Sequence, residues 1–356
     1  MIHLWKPGVY SGETFNDAVI CEVPDITFDA CRINGTNGED ILLTMHHRTK
    51  LLNSVLMGSV HGAHRGIRAD SVGCRIHRSR VLNIFSGNFH TQALAGWEGC
   101  SDLIAEDSEF QASGENVIFG GAHCNDEKLT PQDITFINCD LSKPKEWLDN
   151  PAITCVNNFE LKRGKRVKLY GCKMDGSVAG GGQDGYAIVL TVRQEPAPWG
   201  SIEDVEIIGC EIRNTMGGVH FLGWDDMAPP PPDNIYSYGH LKNILLTRNR
   251  FRDMGEGARQ FFINSGSENL QFISNEVYAR EGIKTNSFMT FANKVYPSRG
   301  LVYKDNNVPE GNYGIVGDGV HGPECLDIYA PGWTFSGNTI REQSGYYNYP
   351  DGVDPR

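Results

Sequence analysis

One eight-residue pattern, recurring about eleven times, constrains this chain more than any other feature. It reads apolar, any, apolar, any, any, small polar, any, apolar. The copies are Ile26 to Ile33, Thr49 to Leu56, Cys74 to Val81, Leu103 to Phe110, Ile134 to Leu141, Val167 to Met174, Val205 to Ile212, Ile244 to Phe251, Leu270 to Val277, Leu301 to Val308 and Trp333 to Ile340. Successive copies start about 23 to 39 residues apart. That is the spacing of a solenoid, in which each unit buries its apolar side only against its neighbours.

The sixth position carries Cys31, Ser54, Ser79, Ser108, Cys139, Cys172, Cys210, Asn249, Asn275, Asn306 and Asn338, and nothing larger. A short polar side chain fits a sharp bend, where it hydrogen-bonds backbone. Coils stacked at strand spacing, about 4.8 Å, would put these residues in one column, with the asparagines forming an amide ladder. On this reading Cys31, Cys139, Cys172 and Cys210 are buried thiols that pack. Disulfides between neighbouring coils are the alternative.

A second strand family follows each bend: residues 66–70, 92–96, 116–120, 158–162, 187–192, 218–223, 260–264 and 313–318. These segments alternate in polarity and end near glycine, as short strands do. Helical periodicity is weak throughout. The expected fold is therefore all-β, a single-stranded right-handed parallel β-helix of about eleven coils with end caps. Residues 1–25 are expected as an N-terminal cap, 26–340 as the β-helix and 341–356 as a C-terminal tail or cap. Two insertions, Gln194 to Gly200 and the proline-rich Trp224 to Gly239, are expected as loops walling a groove.

The formal net charge of −12 argues against binding nucleic acid through phosphates. No segment reaches the roughly 18 to 20 apolar residues needed to cross a bilayer. Met1 to Gly8 lacks a basic region followed by an apolar core, so no signal peptide is expected. The chain then belongs in a virion or inside the cell if Met1 is native, and outside the cell if a leader was removed. The ten cysteines are dispersed, with no zinc spacing. No metal or other cofactor is expected, and no motif supports Ca²⁺.

The segments 62–67 (GAHRGI), 92–97 (QALAGW), 113–122 (SGENVIFGGA), 158–162 (NFELK), 185–194 (GYAIVLTVRQ), 197–199 (APW), 219–223 (VHFLG) and 313–319 (YGIVGDG) resemble a family of bacterial and phage right-handed β-helix repeat proteins. That family is related in architecture to pectate lyases and phage tailspikes. The resemblance spans about residues 50 to 335 and implies a fold and a ligand-bearing face, with no agreed activity. The Asn-Thr-Asp, Asp-Asp, Gly-His-Gly and Arg-Ile-Lys segments of polygalacturonases are absent in register, Asp225-Asp226 falling in the proline loop. The pectate lyase Trp-Ile-Asp-His and Arg-x-Pro-x-x-Arg motifs are absent too.

Alternation places Phe159 and Leu161 inward, hence Asn158, Glu160 and Lys162 outward. By the same count Asn116, Arg193 and His220 face out. With Glu115 they form a polar stripe, which His64, Arg65, Gln92 and Trp97 would extend as substrate-binding residues. A uronate lyase needs a cation on the substrate carboxylate, a role for Arg193, and a base, a role for Lys162 if its pKa is lowered. A glycosidase needs two carboxylates about 5 to 9.5 Å apart, for which Glu115 and Glu160 are the best pair. Plainer alternatives stand beside these roles: a surface ion pair for Glu160 and Lys162, ion pairing of Arg193 with Glu160, structural histidines at 64 and 220, and a core Trp97.

Two functions follow as expectations. One is a protein that recognises, and would cleave, a polysaccharide or cell-surface glycan. The other is a non-catalytic virion component, a capsid decoration or tailspike part, partnered as a homotrimer or with other virion proteins.

Overall fold

The computed structural model describes residues 1–38, 40–88, 90–178, 184–193, 197, 199–224 and 240–354. Three parallel sheets run along it. Sheet A has twelve strands from Ile2–Leu4 to Ile315–Val316, and sheet B twelve from Gly8–Ser11 to Thr334–Ser336. Sheet C comes in two blocks: five strands from Thr14–Phe15 to Glu109–Ala112, and six from Lys173–Ser177 to Thr339–Arg341. Each strand pairs in parallel with its counterpart one coil away; Ile134, for example, lies between Leu103 and Val167. This is the right-handed parallel β-helix that the repeat predicts.

The bend between sheets B and C has a backbone cause. The residue before each sixth position (Ala30, Asn53, Arg78, Asp107, Asn138, Gly171, Gly209, Arg248, Ser274, Asp305, Gly337) is left-handed, with φ from 47° to 65°. Glycine and asparagine adopt this readily, whereas Ala30, Arg78, Arg248 and Ser274 do so at about 1–2 kcal/mol each. The backbone N–H after the bend then donates to the side chain one coil on. Cys31 N donates to Ser54 Oγ at 2.9 Å, Ser54 N to Ser79 Oγ at 3.1 Å, and Ser79 N to Ser108 Oγ at 3.1 Å. Through the thiol stretch, Ser108, Cys139 and Cys172 donate to the sulfurs of Cys139, Cys172 and Cys210. From Cys210 onward amide oxygens accept, Cys210 N to Asn249 Oδ1 at 2.9 Å and Asn306 N to Asn338 Oδ1 at 2.9 Å. All eleven side chains of the column are buried. The ten cysteines are free thiols, so the disulfide alternative is not realised.

Inside the column of the third repeat position, aromatic rings stack from coil to coil: Phe272 lies 5.9 Å from Tyr303, and Tyr303 lies 5.1 Å from Phe335. Residues 1–25, expected as a cap, instead supply the first strand of every sheet. Gly8–Ser11 pairs with Ile26–Asp29, and Glu13 takes the sixth position. Two features hid this coil in the sequence: Gly8 stands where the pattern wants an apolar residue, and Glu13 can be charged because the end of the column is exposed. At the other end a helix, Gly322–Tyr329, lays Tyr329 on Phe291, and Tyr349 of the tail packs on Phe288 and donates to Glu310 at 2.8 Å.

Candidate functional site

The predicted residues lie on the outer side of sheet A. Strand Phe159–Leu161 behaves as alternation requires, with Phe159 and Leu161 in the core and Glu160 outward. Glu160 is nevertheless only 2% exposed. It is paired with the Lys162 ammonium and accepts from Asn157 Nδ2 at 2.8 Å, while Lys162 also donates to Thr191 Oγ1 at 2.9 Å. Lys162 Nζ thus lies between a carboxylate and a hydroxyl, a geometry that suits it to charge neutralisation rather than to the role of base. The backbone N–H of Arg193 donates to Lys162 O at 3.2 Å, which sets Arg193 beside this pair.

Asn116 does not face out, and neither does Asn158. Alternation stops at the corner where the chain enters sheet A, so Asn116 and Val117 are both buried. The Asn116 amide donates to Phe110 O at 2.7 Å and Ser142 O at 3.1 Å; Asn158 donates to Leu141 O at 2.8 Å. Their work is to satisfy corner carbonyls, which would otherwise be buried without a donor. Lys143, missed in the sequence, completes this network. Its Nζ meets Ala112 O, Gly114 O, Asn116 Oδ1 and Asn157 O at 2.6 to 3.0 Å. Burial drives its pKa down to about 7, while four acceptors favour the ammonium, which has three protons to give. The signal was present: Lys143 follows Leu141 at an inward-facing interval of two.

Glu115 accepts from Gln92 Nε2 at 2.8 Å and pairs with His90 Nδ1 at 2.9 Å. Burial works to raise its carboxyl, but the hydrogen bonds from His90 and Gln92 outweigh it and hold the pKa below the usual range. The same bond, reinforced by the charges of Glu115 and Glu160, raises His90 against its partial burial. His90 was not foreseen, because it lies in a loop outside both repeat families. Ile118, not Glu115, is the register partner of Glu160. Glu115 sits three residues earlier, roughly 10 Å along the strand. The two carboxylates have different hydrogen-bond partners, His90 and Gln92 for Glu115 and Asn157 for Glu160, while His90 feels the charge of both.

Toward the N-terminal end, Arg65 lies 3.2 Å from His64 Nδ1 and stacks over Trp97 at 4.6 Å, with Arg68 at 5.7 Å. Trp97 is half-buried, and its indole already carries these two guanidinium groups. In the middle coils His220 stacks on Phe262 at 4.7 Å and Tyr186 at 5.2 Å, with Arg259 over Phe262 at 5.2 Å. Burial, then the nearby cations Lys162, Arg193 and Arg259, pushes His220 down to about 3, so its ring is neutral. Gly217 makes room for this stack, since a Cβ there would stand 2.4 Å from the Tyr186 ring. Residues 194–196, 198 and 225–239, which hold most of the two expected loops and Asp225-Asp226, lie outside the described residues.

A second feature was not anticipated. Sheet C is interrupted where Asp140 bridges Glu109 and Lys173 by single pairs, and the chain leaves the coil to form a short helix, α1, Lys145–Leu148. Between α1 and the second block of sheet C lies a cleft of about 700 Å³. Among the described residues, no group of three or more His, Cys, Asp or Glu side chains is placed to hold a metal ion.

No protein-family model matches the chain, and no curated protein sequence matches it. Solved structures do. A mutant tailspike protein of E. coli bacteriophage HK620 in complex with a pentasaccharide superposes with a TM-score of 0.63 at 12% identity, covering 95% of this chain and 59% of that one. The Dettilon tailspike protein gives 0.59 at 10% identity, covering 98% of this chain and 62% of that one. The chain therefore spans about three fifths of the length of these tailspikes, and at such identities the likeness establishes the fold.

Proposed function

We propose that this chain is a glycan-recognising β-helix that binds a polysaccharide along the outer face of sheet A. The observation that carries the reading is the periodicity of that face. Partly exposed polar and aromatic side chains (Arg65 and Trp97, Lys162, His220 and Phe262) recur on that face, with His220 and Phe262 in register on neighbouring strands about 4.8 Å apart. A linear polymer laid along the axis meets a repeating series of hydrogen-bonding groups and ring faces. The tailspike likeness supports the same reading, since one of those structures holds a pentasaccharide. It also favours a place in a virion, and a homotrimer is the assembly proposed for it.

The test is a panel of neutral and acidic polysaccharides offered to the full chain, read for binding by calorimetry and for cleavage by reducing ends and unsaturated products. Binding of at least one glycan is expected, weakened at least tenfold in Phe262→Ala. Absence of binding across the panel, with a stable trimer by light scattering, would leave a purely structural virion role and overturn glycan recognition. If cleavage is seen, Glu115→Gln and Glu160→Gln decide which of the two carboxylates carries it.

A further inference from the structure

The cleft beside α1 and the surface continuing it are basic in a chain of net charge −12. Four cations line the cleft, Lys143, Lys145, Lys173 and Arg280, against two carboxylates, Asp149 and Asp175. Two of the cations are committed, Lys143 to its four acceptors and Lys173 to Asp140 at 3.2 Å. Asp175 accepts from Asn214 Nδ2 at 2.8 Å. Lys145 and Arg280 are exposed and make no ion pair with a carboxylate among the described residues.

From the cleft, the outward positions of sheet C run Asp175, Arg213, Arg252 in strict register. Arg213 is paired with Asp253 at 3.3 Å, but Arg252 has no carboxylate partner among the described residues. Arg252 lies 5.7 Å from the Tyr278 ring and Arg341 4.5 Å from it, so one tyrosine orients two guanidinium groups. A stacked guanidinium loses less freedom when it forms paired hydrogen bonds to a carboxylate. A volume of about 700 Å³ is within the range of small-ligand sites. The cation column beside it lies along the axis, the direction in which a polymer would continue.

We infer that the cleft beside α1, with the Arg252–Tyr278–Arg341 column, binds a glycan bearing carboxylate groups, one acidic sugar seated at Lys145 and Arg280 and the following units against the arginines. This rests on the glycan-recognition reading and adds to it a ligand class and a second surface, on a different sheet from the first. The low overall basicity disfavours nucleic acid, which needs many phosphate contacts.

The experiment titrates the full chain with polygalacturonate, with its carboxyl-reduced neutral form, and with a single-stranded DNA oligonucleotide of matched charge. It uses wild type, Arg252→Gln/Arg280→Gln and, as a control for general loss of surface positive charge, Lys50→Gln on the exposed face of sheet B. The expected result is salt-sensitive binding of polygalacturonate that falls at least tenfold in the double variant, is retained in Lys50→Gln, and exceeds binding of the reduced polymer and of DNA. Equal affinity of the double variant and wild type, or equal affinity for the reduced polymer, overturns this site while leaving glycan recognition standing. DNA binding as tight as polygalacturonate overturns the ligand class. No binding of either polysaccharide overturns this site, and the wider panel then decides the reading on which it rests.

Discussion

The outer faces of sheets A and C solve the problem of surface charge in opposite ways. On sheet A the charges are spent internally. Glu160 is matched by Lys162 and Asn157, Glu115 by His90 and Gln92, and Arg65 and Arg259 lie over aromatic rings. On sheet C a column of alternating pairs, Lys173 with Asp140 and Arg250 with Glu276, runs beside Arg252 and Arg341, which have no carboxylate partner among the described residues. The difference teaches that a polar residue on an outward strand position is not thereby available to a ligand. Availability depends on whether the neighbouring coil has already supplied its counter-charge.

The comparison breaks first at Lys162. Replacing it by methionine strands the Glu160 carboxylate, 2% exposed, without its counter-ion. A loss of about 3–5 kcal/mol is expected in denaturant unfolding. A loss under about 1 kcal/mol would mean that sheet A is no more self-satisfied than sheet C.

A smaller effect is expected from pH. His220 is held at about 3 in the folded chain against about 6.5 unfolded, so its contribution is fully present above pH 6.5 and drains away as pH falls toward 3. His220→Phe should flatten the acid side of the stability profile between those limits. The His90–Glu115 pair sharpens the same window from both sides: a raised histidine contributes until pH climbs through its folded pKa, and a depressed carboxyl until pH falls through its own. His90→Gln should therefore remove a shoulder near neutrality, seen by thermal melting across pH. An unchanged profile would place His90 outside the pair in solution.

The smallest effect belongs to sheet C. Arg252→Gln touches an exposed side chain with no ion pair among the described residues, and a stability change within about 0.5 kcal/mol is expected. A larger loss would show that the arginine column is structural.

Much of the architecture was legible because a stacked fold repeats its demands. Each bend needs a short side chain that accepts the preceding coil's N–H, so the same position recurs as Cys, Ser or Asn. Where the stack ends the demand lapses, which is why the first coil, with Gly8 and Glu13, reads like a cap. The site was legible only in part. Alternation placed Glu160 and His220 correctly, then failed at Asn116 and Asn158, because a corner resets the phase of the strand.

The sequence by itself determined the path of the chain: its period, its bends, and the column that runs through them, since these follow from contacts each coil makes with an identical neighbour. Only the tertiary structure decided which charges are spent and which remain. Lys162 and Lys143 look alike in sequence, yet one meets a carboxylate outside the sheet and the other meets four oxygens within a corner. Counter-charges come from residues tens of positions away, brought together by coil stacking, and no local pattern encodes which of them will meet.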